Sequence, residues 1–233
     1  DDDYTASVLR WMLDTGGLED GLGREYDRLM DFLAGLLVKH FRDYSVLIRI
    51  AEMIFSRHKK GKLIHDLVWA FFESKNTDSI LIIARWLSSN DVKDRKLALK
   101  LLGFIPSLNP PAKPDPYGYT RVLYWLQENK PFIYYTGESL HQSCSPLHFR
   151  VSMVAKYLCR SVSVETGEPL YPLNEFEKSL AENFKKLPYD SQQKLSDFSY
   201  LLYRRNIFQW HTFMRLDLGR QLALASGFSG GLP

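Results

Sequence analysis

The sequence predicts an all-α protein whose N-terminal half is an antiparallel array of helices. Apolar residues recur at i, i+3, i+4 and i+7 in five successive segments, which is the spacing of one buried face of an α-helix. These segments begin at residues 29, 47, 64, 80 and 98, so one helix with its connection returns every 16 to 18 residues. A helix pair about every 34 residues is the scale of helical repeat proteins. Because 45% of the residues are hydrophobic and 14% are aromatic, the chain has the composition of a folded domain.

A first helix is expected ahead of these five segments. It would bury Val8, Leu9, Met12 and Leu13, with Trp11 beside them, and the acidic residues at its start favour a helix N-terminus. Glycines at 16, 17, 21 and 23 form a flexible connection to the next helix. The five periodic segments give five predicted buried faces: Leu29/Phe32/Leu33/Leu36, Leu47/Ile50/Ala51/Ile54, Ile64/Leu67/Val68/Phe71, Ile80/Ile83/Ala84/Leu87 and Ala98/Leu101/Leu102/Ile105.

Two of these helices lie between Asp78 and Pro106 and are joined by a tight polar corner. Thr77 or Asp78 is placed to cap the first helix, because a short polar side chain accepts hydrogen bonds from the free N–H groups there. Short polar residues at 88–90 end this helix, and Pro106 ends the second one.

The second helix of this pair carries a regular set of charged, small and apolar positions. They are Asp91, Arg95, Ala98, Leu101, Leu102, Gly103 and Ile105. This spacing resembles the second half of a HEAT repeat, in which an acidic residue and an arginine near the start of the helix bond neighbouring repeats. Asp94 stands where that family usually has a valine, so the match is partial. The resemblance implies an α-solenoid with an extended binding surface.

Two other helical arrangements share part of this pattern. A tetratricopeptide repeat has the same period, but it needs small residues at the positions of Ile82 and Asp94. An ordinary bundle of helices of similar length is the remaining alternative.

The sequence divides into four parts. Residues 1–108 form the predicted HEAT-like region, and residues 109–118 form a proline-rich crossing or linker. Residues 119–226 form a helical C-terminal region packed on the first, followed by a flexible tail at 227–233.

The C-terminal region contains one predicted extended segment and several helices. The aromatic run Phe132–Tyr135 is expected to be extended. Ser145 and Pro146 are predicted to start a helix that buries Val151, Val154, Ala155 and Leu158. Further helices are predicted at 176–187 and 195–202, and one long final helix runs from Ile207 to Leu222.

Aromatic and arginine side chains near residue 205 form the first candidate binding site. Tyr203, Arg204 and Arg205 stand next to one another, and Trp210 follows on the next helix. Tyrosine, tryptophan and arginine are enriched at interaction hot spots, so these residues predict a protein-binding surface. The alternative is a buried aromatic cluster with its polar groups at the rim.

A basic corner at 57–62 is the second candidate. Lys59, Lys60 and Lys62 would bind an anionic partner, or they belong to a solvated loop. Lys93, Lys96 and Lys100 fall near one helix face and add the alternative of a nucleic-acid-binding protein. HEAT-like DNA glycosylases have a similar length, although their catalytic aromatic-plus-aspartate arrangement is not recognisable in this sequence. The formal net charge of +3 is a weak basic bias.

The segment 136–148 is the third candidate. Glu138, His141, Cys144 and His148 are residue types that bind zinc, which makes a metal or enzymatic site the second alternative function. None of the established zinc spacings is present, however, and a polar turn with a small buried cysteine accounts for the same residues.

The resemblance to a HEAT repeat implies a binding role. The sequence contains no nucleophile elbow, phosphate loop or dinucleotide fingerprint, so no catalytic residue and no cofactor are predicted. We therefore expect a protein–protein interaction or scaffold module whose partner is another protein, with the oligomeric state left open. No apolar run approaches the roughly 18 residues that cross a bilayer. Two cysteines form no disulfide framework and favour a reducing compartment such as the cytoplasm.

Overall fold

The computed structural model describes residues 2–106, 108 and 113–227, and this part of the chain is mostly helical. The all-α prediction is therefore confirmed at this level. The described residues form twelve α-helices and one two-stranded sheet: α1 (Asp2–Gly16), α2 (Arg24–Gly35), α3 (Leu47–Lys59), α4 (His65–Glu73), α5 (Ser79–Ala84), α6 (Val92–Leu101), α7 (Gly118–Asn129), β1 (Ile133–Tyr135), β2 (Phe149–Val151), α8 (Met153–Tyr157), α9 (Glu175–Lys185), α10 (Tyr189–Arg205), α11 (Ile207–Met214) and α12 (Leu218–Gly227). None of the helices described is long and apolar enough to cross a membrane.

The chain forms two compact units, each made of two stretches of sequence. The first unit comprises residues 1–128 and 136–149, and the second comprises residues 129–135 and 150–233. Helix α7 thus belongs to the first unit, although it follows the predicted proline-rich crossing. Residues 109–112 of that crossing and 228–233 of the predicted tail lie outside the described residues.

Helices of the first unit pack against sequence neighbours and against helices further along the chain. The pairs α1–α2, α3–α4 and α5–α6 are in contact, α2 also packs on α4, and α3 packs on α5 and α6. Four of the five predicted faces, those beginning at Leu47, Ile64, Ile80 and Ala98, are buried at every position. The 3.6-residue period therefore identified most of the core of this unit.

The predicted face of α2 is wrong by one residue. The helix buries Met30, Leu33, Ala34 and Leu37, whereas Leu29 and Phe32 are 43% and 66% exposed. Both sets fit the same i, i+3, i+4, i+7 spacing, so the period alone does not distinguish them. The contacts of α2 with α1 on one side and α4 on the other select the second set.

The predicted face of α1 is correct in part. Leu13 is buried and Leu9 and Met12 are half-buried, whereas Val8 is 38% exposed and Trp11, which flanks this face, is 65% exposed.

Arg57 is not part of a solvated basic corner, because α3 continues to Lys59 and turns this side chain inward. Arg57 is 1% exposed, and its Nε and Nη2 atoms donate to both carboxylate oxygens of Asp20 at 2.7 Å. Nη1 lies 2.6 Å from Asp31 Oδ1, and Nη2 donates to the carbonyl of Asp27 at 2.9 Å. A buried charge is tolerated only when it is paired and hydrogen-bonded, so Arg57 joins α2 and α3 to the segment between α1 and α2.

The helix predicted from Ser145 and Pro146 does not form. The extended run confirmed at β1 pairs instead with β2, and α8 begins only at Met153, after Ser152. Thr136 holds the two ends of the intervening loop together, because its hydroxyl donates to the carbonyl of Leu147 at 2.6 Å and its N–H donates to that of His148 at 3.0 Å. This pairing keeps the chain extended where the serine–proline pair predicts a helix start.

Helix α10 is central in the second unit and contacts α8, α11 and α12. Tyr157 stacks on Phe184 with ring centroids 4.6 Å apart, and both are buried in the core of this unit. The single long final helix predicted from Ile207 is two helices, because the chain breaks between Met214 and Leu218.

Candidate functional site

The corner between α10 and α11 is formed by one residue that serves both helices. Asn206 follows the last residue of α10 and caps α11, because its side-chain oxygen accepts hydrogen bonds from the N–H groups of Phe208 at 3.0 Å and Gln209 at 3.1 Å. Asparagine is among the residues preferred at this position. The cap sets the direction of α11 and thereby the position of the residues that follow.

Trp210 is held in place by a chain of hydrogen bonds. Its indole Nε1–H donates to the Ser199 hydroxyl at 2.9 Å, and this hydroxyl donates to the carbonyl of Tyr157 at 2.6 Å. The ring of Tyr203 packs edge-on against Trp210, with centroids 5.2 Å apart. Trp210 is half-buried, so it supports the corner more than it offers a free surface.

The exposed side of the corner combines apolar and cationic side chains. Phe208 is 81% exposed, Ile207 is 44% exposed and Tyr203 is 38% exposed. Arg204 and Arg205 are exposed beside them, and the Arg204 guanidinium lies 5.7 Å from the ring of Tyr200. We call Tyr203, Arg204, Arg205, Ile207 and Phe208 the corner surface. Large apolar side chains next to arginines are typical of interaction hot spots.

The structure thus brings the four predicted hot-spot residues together, but it gives them unequal roles. Tyr203, Arg204 and Arg205 lie on the corner surface, while Trp210 lies behind it. Phe208 was missed, because its place in an aromatic-rich segment is equally typical of a core residue. Its position two residues after the Asn206 cap is the one local signal that places it at a helix end.

The three lysines of the basic corner also differ from one another. Lys59 lies 2.9 Å from Asp94 Oδ2, and Lys60 donates to the carbonyl of Asp20 at 2.7 Å. Lys62 is exposed in the turn around Gly61, whose φ of +68° suits glycine. Two of the three predicted anion-binding lysines therefore already contact oxygen atoms of this chain.

Further positive charge gathers at the end of α3. Burial first, and then the charges of Lys100 and Lys93, lower the pKa of His58 below its usual range, and Asp94 and Asp91 act against them. Lys93 also reaches the carbonyl of Lys59, at 3.4 Å. The C-terminal end of α3 and the exposed side of α6 therefore form a mixed patch in which cations outnumber carboxylates.

The side chains of the four predicted metal ligands do not converge on one point. The Glu138 carboxylate accepts a hydrogen bond from the N–H of Leu147, His141 lies 3.1 Å from Asp66, and Cys144 is exposed. His148 is fully buried and stacks on Phe72. Among the described residues, no group of three or more histidine, cysteine, aspartate or glutamate side chains is arranged to hold a metal ion. The metal site that the sequence offered as its second alternative is therefore not assembled from these four residues.

Neither a protein-family model nor a curated protein nor a solved structure matches this chain.

Proposed function

We propose that this chain is a protein–protein interaction module, without catalysis of its own, that binds its partner through the corner surface. The observation that carries this proposal is the 81% exposure of Phe208, two residues after the Asn206 cap that follows Arg204 and Arg205. A large aromatic side chain contributes binding energy when a partner removes it from water, and a rigid position reduces the entropy lost on binding.

The chemistry of the corner surface defines the partner. Ile207 and Phe208 fit an apolar pocket, and Arg204 and Arg205 fit carboxylates at the rim of that pocket. We therefore propose an acidic protein surface with an apolar depression as the binding partner.

The HEAT-like arrangement of the first unit is part of the same proposal. Helices that pack on their sequence neighbour and on the helix two positions ahead, as α2 does on α4 and α3 does on α5, are consistent with a helical repeat. Such arrays serve most often as binding scaffolds. Both cysteines are free thiols, which suits the cytoplasm as the compartment we propose.

A comparison of two exposed aromatic residues in the second unit tests the proposal. Phe208→Ser removes the main apolar contact of the corner surface. Tyr189→Ser is the matched control, because Tyr189 is 65% exposed and lies at the other end of the helix that leads to the corner. Wild-type and variant proteins are used to capture partners from a native lysate after nuclease treatment, and the captured proteins are quantified by mass spectrometry.

We expect a captured protein that is lost with Phe208→Ser and retained with Tyr189→Ser. With that purified partner, Phe208→Ser is expected to weaken binding at least about tenfold, as for a hot-spot residue. Arg204→Glu with Arg205→Glu should weaken it similarly. If every captured protein binds both serine variants equally, the corner surface is not the binding site.

Nucleic-acid binding is the second candidate function, and the lysines gathered around His58 favour it. Fluorescence anisotropy of labelled DNA and RNA oligonucleotides would detect it, because phosphate contacts make binding fall by orders of magnitude between roughly 50 and 200 mM salt. Lys96→Glu with Lys100→Glu should abolish such binding. Binding that is insensitive both to salt and to these substitutions would contradict this candidate.

A further inference from the structure

A cleft of about 360 Å³ opens in the first unit between α3, the 3₁₀ turn Arg85–Ser88 that follows α5, and the start of α6. Its wall is formed mainly by Ile48, Glu52, Ile82, Trp86, Ser89 and Asp94. A cleft of this size lies within the range of small-ligand sites. It is separate from the corner surface and lies in the other unit.

Asp94 supplies a buried acceptor without a donor. Its side chain is 3% exposed, and its Oδ2 atom accepts from Ser89 Oγ at 2.8 Å and lies 2.9 Å from Lys59 Nζ. Its Oδ1 atom is buried and has no hydrogen-bond partner among the described residues. Leaving a buried carboxylate oxygen unpaired is costly, so this atom is suited to a donor that enters the cleft.

Trp86 provides the second recognition element. Its ring is stacked on the buried ring of Phe55, with centroids 4.1 Å apart and planes 2° apart, and it also lines the cleft. An indole ring that is fixed in this way attracts cations that approach its face.

The lining of the cleft carries charges of both signs. Glu52 adds a second carboxylate, which accepts a hydrogen bond from Arg49 Nη1 at 2.7 Å in a partly exposed pair, and Arg85 is the single cationic residue that lines the cleft in the described part of the chain. The Arg85 side chain is exposed, so it can turn away from a ligand.

We propose that this cleft binds the guanidinium group of an arginine side chain presented by a partner protein. The guanidinium donates to Asp94 Oδ1 and lies against Trp86. The methylene groups of the same arginine side chain contact Ile48 and Ile82. Guanidinium suits the site better than ammonium because it is planar, stacks on aromatic rings and is more weakly hydrated. The proposal does not depend on the function assigned to the corner surface.

Nuclear magnetic resonance of the full chain tests this proposal through the indole N–H signal of Trp86. The five tryptophans give five indole signals, and the one that disappears in Trp86→Phe is assigned to this residue. The probe is arginine blocked as its N-acetyl methylamide, and the blocked citrulline analogue has the same shape without the charge. We expect the arginine probe to shift the Trp86 signal and the citrulline probe to bind at least about tenfold more weakly, because the neutral urea group of citrulline has no positive charge to pair with the Asp94 carboxylate.

Two substitutions distinguish a direct contact with Asp94 from a general effect of negative charge in this region on the affinity for the probe. Asp94→Asn should weaken the arginine probe at least about tenfold, because it removes the charge that the guanidinium pairs with. Asp91→Asn is the matched control, because Asp91 also lies near Lys59, with 3.9 Å between its Oδ2 atom and Lys59 Nζ. Asparagine caps helices as well as aspartate does, so this substitution should preserve the start of α6. This control should change the affinity less than about twofold, as for an exposed charge.

A third substitution covers the case in which Asp94→Asn fails to fold. Lys59→Met removes the ammonium that competes for the Asp94 carboxylate, and it should tighten binding of the arginine probe. Equal binding of arginine and citrulline, or unchanged affinity in both Asp94→Asn and Lys59→Met, would overturn the proposal. Tighter binding of free arginine than of the blocked probe would also overturn it, because a small molecule would then be the ligand.

Discussion

The imidazole of His148 lies flat against the ring of Phe72, with centroids 3.8 Å apart and planes 14° apart. His148 Nδ1 is 3.1 Å from the carbonyl of Glu138, and Nε2 is buried without a hydrogen-bond partner among the described residues. Burial lowers the pKa of His148 to about 4, against the raising influence of the Glu138 carbonyl and charge. A residue that the sequence suggested as a metal ligand is therefore a neutral member of the core.

This burial predicts a loss of stability in mild acid. Since the pKa of His148 falls from 6.5 in the unfolded chain to about 4 in the fold, its contribution is complete above pH 6.5 and is lost as the pH falls toward 4. A fall in the pKa from 6.5 to about 4 corresponds to about 3 kcal/mol. Urea unfolding between pH 4 and 7 should show this loss as a fall in the stability of the wild type relative to His148→Gln as the pH decreases. Equal slopes in both proteins would contradict the prediction.

Asp31 predicts a pH dependence of the opposite sign. Burial raises the pKa of its carboxyl from 3.8 to about 6, although the charge of Arg57 and the hydrogen bond from it act in the other direction. The contribution of Asp31 is therefore complete below pH 3.8 and is lost as the pH rises through 6, by about 3 kcal/mol at most. In urea unfolding between pH 4 and 7, the Asp31→Asn variant should lack this loss of stability with rising pH.

The two titrations overlap and partly cancel in the wild type. The variant His148→Gln should lose stability as the pH rises from 4 to 6, and Asp31→Asn should lose stability as it falls from 6.5 to 4. If both single variants follow the wild-type profile, neither group controls it.

The buried pair of Arg57 and Asp20 predicts an asymmetric result. Arg57→Met leaves the Asp20 carboxylate, which is 2% exposed, without its partner, and this should cost about 3–5 kcal/mol in urea unfolding. The double variant with Asp20→Asn should be more stable than Arg57→Met alone, because the fully buried charge of Asp20 is removed together with its partner. Arg28→Met is the control, since its pair with Glu25 is exposed and should contribute less than about 0.5 kcal/mol. Similar costs for Arg57→Met and Arg28→Met would be inconsistent with this network.

Much of the helical core could be predicted because its pattern is local. Four faces, from Leu47 to Ile105, follow from the 3.6-residue period alone. The face of α2 could not be selected in this way, because two overlapping sets of apolar residues satisfy the period and only the neighbouring helices decide between them. The helix expected after Pro146 failed for a related reason, since Thr136 is eleven residues from the carbonyl that its hydroxyl binds.

Candidate sites were harder to predict than helices. Arg57 carries the same charge as the lysines that follow it, and only its position on the inner side of α3 distinguishes it. Asp94 was visible as a departure from the HEAT-like pattern, but the sequence does not reveal that one of its oxygens lacks a donor. Both features arise from contacts between segments that are far apart in the chain.

The interleaving of the two units limits how the gene can be divided for expression. A fragment that ends at residue 128 would lack 136–149, and with it the rings of His148 and Phe149 that cover Phe72 and Phe104. A fragment that begins at 150 would lack Asn129, whose side chain binds Lys156 at 2.8 Å. Neither unit is encoded by one uninterrupted stretch, so deletion mapping by simple truncation would damage the unit that it is meant to preserve.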